Sequence, residues 1–219
     1  MTRLALFDLD NTLLAGDSDH SWGEFMVANQ LVDGDYFKQQ NDKFYVDYQN
    51  GCLDMHAYGA FALQPLTQYN SEELAKLHYR FMHERVIPMV LPKGQQLVQQ
   101  HREAGDTIII ITATNDFITY PIAKYLGVDT LIATTAEQID GQYTGQITGT
   151  PCLQEGKISK LKDWLDKTDL SLIGARFYSD SFNDIPLLQE VDEPIAVDPD
   201  EKLRAHAQAC GWPIISLRQ

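Results

Sequence analysis

Basic side chains are scarce in this sequence. Seventeen lysines and arginines stand against 31 aspartates and glutamates, a formal net charge of −14 over 219 residues. A surface of that sign repels nucleic acid and anionic membranes, so neither is expected as a partner. Cysteine is scarce too. Cys52, Cys152 and Cys210 lie far apart with no CxxC pair, which argues against a disulfide framework and a cysteine-rich zinc site. The histidines at 20, 56, 78, 83, 101 and 206 show no HxxxH or HExxH spacing. No run approaches the roughly 18 apolar residues of a membrane span. The stretch from Met1 to Phe7 reaches an acid, Asp8, too early for a signal segment, so a reducing cytoplasm is the expected location.

What is present suits a globular enzyme. Hydrophobic residues make up 44% of the chain, enough for a sizeable core, and the length suits one domain carrying a large insertion or two small ones. Leu4 to Leu9 is a short apolar run ending in acids and reads as a buried strand. Residues 17–90 are rich in aromatics and amides at helical spacing, with Ser71 as a candidate N-cap before Glu72 and Glu73. After Pro92, helical and strand patterns alternate. Gly94 to Ala104 reads as a helix, Thr107 to Thr112 as a strand and Phe117 to Leu126 as a helix. Asp129 to Thr134 reads as a strand, and Asp140-Gly141 as a hairpin turn. Gly156 to Asp166 (helix), Leu172 to Tyr178 (strand), Ile195 to Val197 and Ile214 to Ser216 complete the set. The pattern predicts an α/β fold: a Rossmann-like parallel sheet with helices on both faces, plus a helical segment inserted after the first strand. The core would be residues 1–16 and 91–219, and the insertion residues 17–90.

In such sheets the ligand site lies beyond the carboxyl ends of the strands. The first strand delivers Asp8 and Asp10 there, the next Thr112, and a later one Ser179-Asp180 followed by Asn183-Asp184. Four carboxylates at close quarters repel one another unless a proton or a cation intervenes. Mg²⁺, which accepts oxygen ligands from a few carboxylates and keeps several waters, answers that conflict. A carboxylate can also serve as a nucleophile toward phosphorus.

Phe7-Asp8-Leu9-Asp10-Asn11-Thr12-Leu13 resembles the first motif of the haloacid dehalogenase (HAD) superfamily, in the form phosphatases use. Ile111-Thr112-Ala113-Thr114 resembles the second motif, Lys157 suits the third, and Ser179-Asp180-Ser181-Phe182-Asn183-Asp184 resembles the fourth. They appear in family order, and the insertion between the first two resembles the cap of the phosphoserine phosphatase branch. Two departures stand out. Ser181 replaces the glycine usual in the fourth motif, and Thr112-Ala113 stands where phosphoserine phosphatases usually show Ser-Gly.

The resemblance implies a phosphomonoesterase acting on a small phosphorylated metabolite, as a monomer or homodimer. Asp8 resembles the nucleophile that forms an aspartyl-phosphate, and Asp10 the acid/base. Thr112 and neighbouring backbone, including Ala113, would hold phosphoryl oxygens, and Lys157 would neutralise charge and orient Asp8. Asp8, Asp10 (through its carbonyl) and Asp180 would hold Mg²⁺. Asp184 would ligate the metal or support the lysine, and Asn183 would support the same groups, bind substrate or cap the following helix. Asp17, nine residues past Asp8, sits where the related branch often meets a substrate amine; its plainer reading is a helix cap. Arg80 is a further candidate substrate contact.

The insertion carries eleven acids from Asp17 to Glu84 against five bases up to Arg85. That excess leans toward a phosphorylated amino alcohol such as histidinol phosphate, with phosphoserine close behind because its carboxylate would want a cation. Asp10 argues against a dehalogenase, and the intact set of Asp8, Asp10, Lys157 and Asp180 against a binding module with a dead site. Phosphotransfer to an alcohol remains the nearest rival reaction.

Overall fold

Strand β1, Leu4–Phe7, is the centre of the molecule, and all four of its residues are buried. The description comes from a computed structural model and covers residues 3–218; Met1 and Thr2, the start of the stretch read for a leader, lie outside the described residues. β1 pairs in parallel with β2 (Thr107–Asn115) on one side and β5 (Arg176–Ser179) on the other. The sheet continues through β3 (Thr130–Ile139) and β4 (Gln142–Thr148) at one end, and through β6 (Glu193–Val197) and β7 (Ile214–Ile215) at the other. The order is β4-β3-β2-β1-β5-β6-β7, and only β4 runs antiparallel to its neighbour.

Alternate residues along the central strands serve opposite faces. Ala5, Phe7 and Ile110 join a cluster with Val98, Ile118 and Ile122 from helices α6 (Pro92–Glu103) and α7 (Asp116–Tyr125). Leu4, Leu6, Ile109 and Ile111 join the opposite cluster. That face is covered by Leu161 of α8 (Glu155–Leu165), Leu187 and Leu188 of α9 (Ile185–Leu188), and Leu203 and Ala207 of α10 (Glu201–Cys210). This is the expected Rossmann-like arrangement, with helices on both sides of a largely parallel sheet.

The stretch between β1 and β2 is helical, as its composition predicts. It comprises α1 (Ser18–Ala28), α2 (Gly34–Asn50), α3 (Met55–Leu63) and α4 (Ser71–Phe81). α4 runs through a widened turn (Met82–Val86) into α5 (Ile87–Met89). The widened turn precedes Pro88, whose ring excludes the carbonyl four residues back from the helical ladder. The aromatic stripe is core: Trp22 lies 5.1 Å from Phe81 and 5.2 Å from Phe117, ring centre to ring centre. The two chain crossings are paired. Ala15 donates to the Met89 carbonyl (2.7 Å) and Leu91 to the Leu13 carbonyl (3.0 Å), around a bridge between Leu14 and Val90.

Three local expectations shift. Asn70, not Ser71, caps α4. The Asn70 side chain accepts from the Glu72 and Glu73 backbone N–H groups, and Glu73 accepts in return from the Asn70 N–H, a reciprocal capping box. The strand expected from Leu172 begins only at Arg176, because Gly174 adopts a left-handed φ of 69° that breaks an extended run. The Asp140-Gly141 hairpin forms as expected, with positive φ at both residues (52° and 77°), but its strands are longer than foreseen and β4 packs on α3 of the insertion.

His78 joins the insertion to the core. It is buried, its ring lies 5.2 Å from that of Phe117, and Nε2 sits 3.2 Å from the Ile118 carbonyl at the start of α7. Burial holds its pKa below the usual histidine value, against the pull of backbone carbonyls. The unfolded chain therefore binds this proton at a higher pH than the folded one, and the contribution of neutral His78 is lost as pH falls through its unfolded pKa of about 6.5 and below. We expect the stability difference between wild type and His78→Phe, taken from urea unfolding midpoints, to shrink between pH 7.5 and 5. A difference that grows on acidification would contradict the burial of a neutral imidazole.

Candidate active site

The site begins where β1 stops. The Asp8 N–H still donates to the Tyr178 carbonyl of β5 (2.9 Å), which continues the sheet register by one residue and aims the Asp8 carboxylate over the strand ends. The chain then turns sharply, with Asn11 at a positive φ of 58°. That turn brings Thr12 back to the β5 end. The Thr12 hydroxyl donates to Asp180 Oδ1 (3.1 Å) and accepts from the Asp180 N–H (3.1 Å).

Lys157 enters from α8 and is 2% exposed. Its Nζ lies 2.8 Å from Asp8 Oδ1 and 2.7 Å from Asp184 Oδ2. Asp184 Oδ2 also accepts from the Ser179 hydroxyl at 2.7 Å. The lysine depends on an unusual helix start. Gln154 holds a positive φ of 51°, and a Cβ on Gly156 would stand 1.9 Å from the Pro151 carbonyl oxygen, so only glycine fits there.

Asp10 turns away from this pair. Its Oδ1 accepts from the Ser18 N–H at the start of α1 (2.6 Å), and its Oδ2 from the Thr114 hydroxyl at the end of β2 (2.8 Å). The Thr112 hydroxyl, 1% exposed as a residue, accepts from the Thr114 N–H at 3.2 Å. The four motifs thus meet at one rim of the sheet, the acids at the ends of β1 and β5, Thr112 on β2 and Lys157 on α8.

The charge balance of this rim is unfavourable as it stands. Burial pushes the Asp8 carboxyl up to about 7 against the pull of Lys157, with Asp184 and Asp10 adding to the rise. Burial, then repulsion from Asp17, likewise pushes Asp10 up to about 7 despite its hydrogen bonds. Asp180 rises well above the usual carboxylate range through burial and the charges of Asp8 and Asp184. Burial opposes the Lys157 charge, but Asp184 and Asp8 outweigh it and keep the ammonium protonated. One cation among four acids leaves uncompensated negative charge. The donors are all oxygens, the set a hard divalent ion accepts, so the residues fit Mg²⁺. Among the described residues, no three His, Cys, Asp or Glu side chains are gathered as a ready metal cluster. Asp10 is turned to Ser18 and Thr114, and Asp184 to Lys157 and Ser179. The Asp8 and Asp180 carboxylates each keep one oxygen without a protein donor among the described residues.

The cavity above this rim is lined by Asp8, Asp10, Thr112, Ala113 and Thr114 from the sheet side. Its roof is Asp17, Asp19, His20, Asn41, Phe44, Tyr45, Tyr48, Leu53, Met55 and Tyr58 from the insertion. Asp17 realises both readings at once. It caps α1, accepting from the His20 N–H at 2.8 Å, and it lines the cavity.

Two candidate substrate contacts lie elsewhere. Arg80 is on the outer face of α4, with Nε 3.1 Å from Glu84 Oε1, a second nitrogen 2.6 Å from Asn29 Oδ1, and its guanidinium over the Phe25 ring. The inward face of α4 is taken by Leu74, His78 and Phe81, so a residue two past His78 must point out. Asn183 is buried with both ends of its amide engaged. Its Nδ2 donates to the Tyr48 carbonyl (3.2 Å), and its Oδ1 accepts from Gln154 (3.0 Å). It ties the fourth motif to α2 rather than lining the cavity. Ser181, at the unusual motif position, has a φ of −103°, so no glycine is required, and its hydroxyl accepts from the Asn183 N–H.

Sequence reasoning quoted Thr12, Thr114 and Ser179 within the motifs but gave them no role; their hydroxyls one or two positions from the acids and from Thr112 were the available signal. The roof residues Tyr48 and Tyr58 carried none.

The chain matches the haloacid dehalogenase-like hydrolase family over residues 5–189. It is 47% identical to a histidinol-phosphatase of Neisseria meningitidis over the whole of both chains. It is 31% identical to phosphoserine phosphatase SerB1 of Mycobacterium tuberculosis, across all of this chain and 72% of that one. Among solved structures, a protein of unknown function from Bordetella pertussis Tohama I superposes with a TM-score of 0.92 at 42% identity, covering 99% of this chain and 100% of that one. A substrate-bound phosphoserine phosphatase shares the fold, with a TM-score of 0.73 at 17% identity over 100% and 95% of the two chains.

Replacing Lys157 with methionine leaves two buried carboxylates facing each other without their cation. Removing one partner of a buried pair costs about 3–5 kcal/mol. A urea titration at pH 7.5 should show a loss of that size for Lys157→Met; an unchanged midpoint would mean that the ammonium is not what holds Asp8 and Asp184 together.

Proposed function

The chain belongs to the haloacid dehalogenase-like hydrolase family, and from that membership we propose that it is a Mg²⁺-dependent phosphomonoesterase working through an aspartyl-phosphate, with histidinol phosphate as its favoured substrate. The placement of Lys157 between Asp8 and Asp184, beside Asp10 and Asp180 at the strand ends, carries this reading.

Asp8 is the nucleophile. One carboxylate oxygen is held by Lys157, which leaves the other to attack phosphorus as the phosphorus–oxygen bond to the alcohol breaks. The Lys157 ammonium keeps the attacking group aligned and offsets part of the charge that builds on the phosphoryl oxygens. Thr112, Ala113 and their backbone border the space those oxygens would occupy. Asp10, held by Ser18 and Thr114 and pushed by burial to about 7, keeps a proton near neutrality. It delivers that proton to the departing alcohol oxygen. As a carboxylate it then takes a proton from the water that attacks the aspartyl-phosphate, releasing phosphate and restoring Asp8. Asp8, Asp180 and the Asp10 carbonyl would hold Mg²⁺, with Asp184 acting through Lys157. When bound, the ion supplies positive charge against the phosphoryl oxygens and the nucleophile.

Residues 17–90 act as a cap on a core made of residues 1–16 and 91–219. The paired crossings at 13–15 and 89–91 are where such a unit would pivot, and the tyrosine-rich roof excludes water from the reacting groups. For substrate choice, the named relative at 47% identity supports histidinol phosphate. The cavity lining supports it as well. It holds four aspartates and no lysine or arginine, so a substrate carboxylate such as that of phosphoserine would find neither there, and the one imidazole in the lining is that of His20. His20 is committed elsewhere, with Nε2 3.0 Å from Asp42.

Purified protein with Mg²⁺ should hydrolyse p-nitrophenyl phosphate, and Asp8→Asn should reduce this to background. Full turnover in excess EDTA would remove the metal from the mechanism, and activity surviving in Asp8→Asn would remove the nucleophile. Across a panel of phosphorylated metabolites, kcat/KM should be highest for histidinol phosphate; a wide margin for phosphoserine would refute the reading of the cavity.

A further inference from the structure

One acid in the cavity has no part in the chemistry above. Asp19 lies in the first turn of α1, where an acid normally faces solvent and complements the helix dipole. Here it lines the cavity instead, and its Oδ1 is buried without a hydrogen-bond partner among the described residues. Leaving a buried carboxylate oxygen unpaired is costly unless a ligand completes it. The neighbouring acids are engaged. Lys157 holds Asp8, Ser18 and Thr114 hold Asp10, and Asp17 spends an oxygen on capping α1.

The acids also form a series leading away from phosphorus. Ser18, whose N–H holds Asp10, stands between Asp17 and Asp19 in the first turn of α1, and Asp19 lies against the Tyr58 hydroxyl in the roof. Aromatic and apolar walls from α2, α3 and the loop between them line the same space, among them Phe44, Tyr45 and Tyr58. A flat cationic group fits an acid flanked by aromatic faces. The lining has no lysine or arginine, and His20 is paired with Asp42, so the cation must come from the ligand.

We propose that Asp19 is a specificity-determining residue that binds the imidazolium ring at the far end of the substrate alcohol, between the roof aromatics, leaving Asp17 for the amine nearer phosphorus. This rests on the amino-alcohol reading of the substrate and goes beyond it by separating the ring from the amine. The recognised class is a phosphate ester whose alcohol carries two cationic groups.

The test compares histidinol phosphate with phenylalaninol phosphate, which keeps the amine and replaces the imidazole with an uncharged ring. Steady-state kinetics with Mg²⁺ should show wild type favouring histidinol phosphate by about tenfold or more in kcat/KM, the range of a charge-assisted contact. In Asp19→Asn that ratio should collapse toward one, through a raised KM for histidinol phosphate. Asp19→Asn should unfold at no lower temperature than wild type, because burial and the charges of Asp17 and Asp10 already disfavour an ionised Asp19 in the unliganded protein; Asp19→Ser provides a second neutral variant. Retention of the ratio in both variants would overturn the role of Asp19 while leaving histidinol phosphate as substrate. Equal use of both esters by wild type would overturn it while leaving the amino-alcohol reading intact. If wild type turned over neither ester better than p-nitrophenyl phosphate, the substrate reading would fall and Asp19 with it.

Discussion

The ammonium of Lys157, buried between the carboxylates of Asp8 and Asp184, is the interaction on which the rest of the site depends. Moving three charges out of water is costly, and their mutual attraction offsets that cost only with close geometry and further hydrogen bonds. Both conditions hold here. The contacts are 2.8 and 2.7 Å, and Ser179 supplies a further donor to Asp184. The geometry is maintained by backbone features that look unremarkable in a sequence. Gln154 takes a left-handed conformation so that α8 can start close to Pro151, and Gly156 tolerates the approach of the Pro151 carbonyl because it has no Cβ. Strain and close packing in a connecting loop thus position one lysine nitrogen.

The same rim illustrates a conflict between stability and chemistry. Burial raises Asp8, Asp10 and Asp180 above the normal carboxylate range, and repulsion from neighbouring acids, Asp17 and Asp184 among them, adds to it. A sequence selected for stability alone would not gather them. A pKa displaced toward neutrality suits the acid/base role of Asp10, whereas a nucleophilic Asp8 needs its charge, and a cation-poor rim is what makes a divalent ion welcome. The surface charge of −14 would otherwise repel a phosphate ester, so attraction for substrate has to be local.

The insertion closes over this rim without standing apart from the core. His78 and Trp22 pack against Phe117 of α7, β4 packs against α3, and Asn183 reaches up to the Tyr48 carbonyl. The last contact links the fourth motif, which carries Asp180 and Asp184, to the helix that supplies Tyr45 and Tyr48 to the roof.

Much of the fold and the reacting centre was legible in the sequence because both are written in local patterns. Two-sided burial shows as the apolar runs of β1 and β2, and strand-end acids follow at once in Asp8, Asp10 and Asp180. The Asp140-Gly141 turn announced its hairpin through residues that accept positive φ. The sequence determined which groups lie at the strand ends, since a parallel sheet delivers the C-terminal end of each strand to one rim. Only the tertiary structure decided what those groups touch. Thr12, Thr114 and Ser179 became partners of the acids through a turn and two strand ends remote in sequence. Arg80 faced outward because His78 and Phe81 had taken the inward side of α4, and Asn183 became a tie because Gln154 and Tyr48 met its amide. Asp19 turned inward, where an acid in the first turn of a helix normally faces solvent. Helical phase and long-range packing govern these outcomes, and a stretch of sequence records neither until the elements are docked.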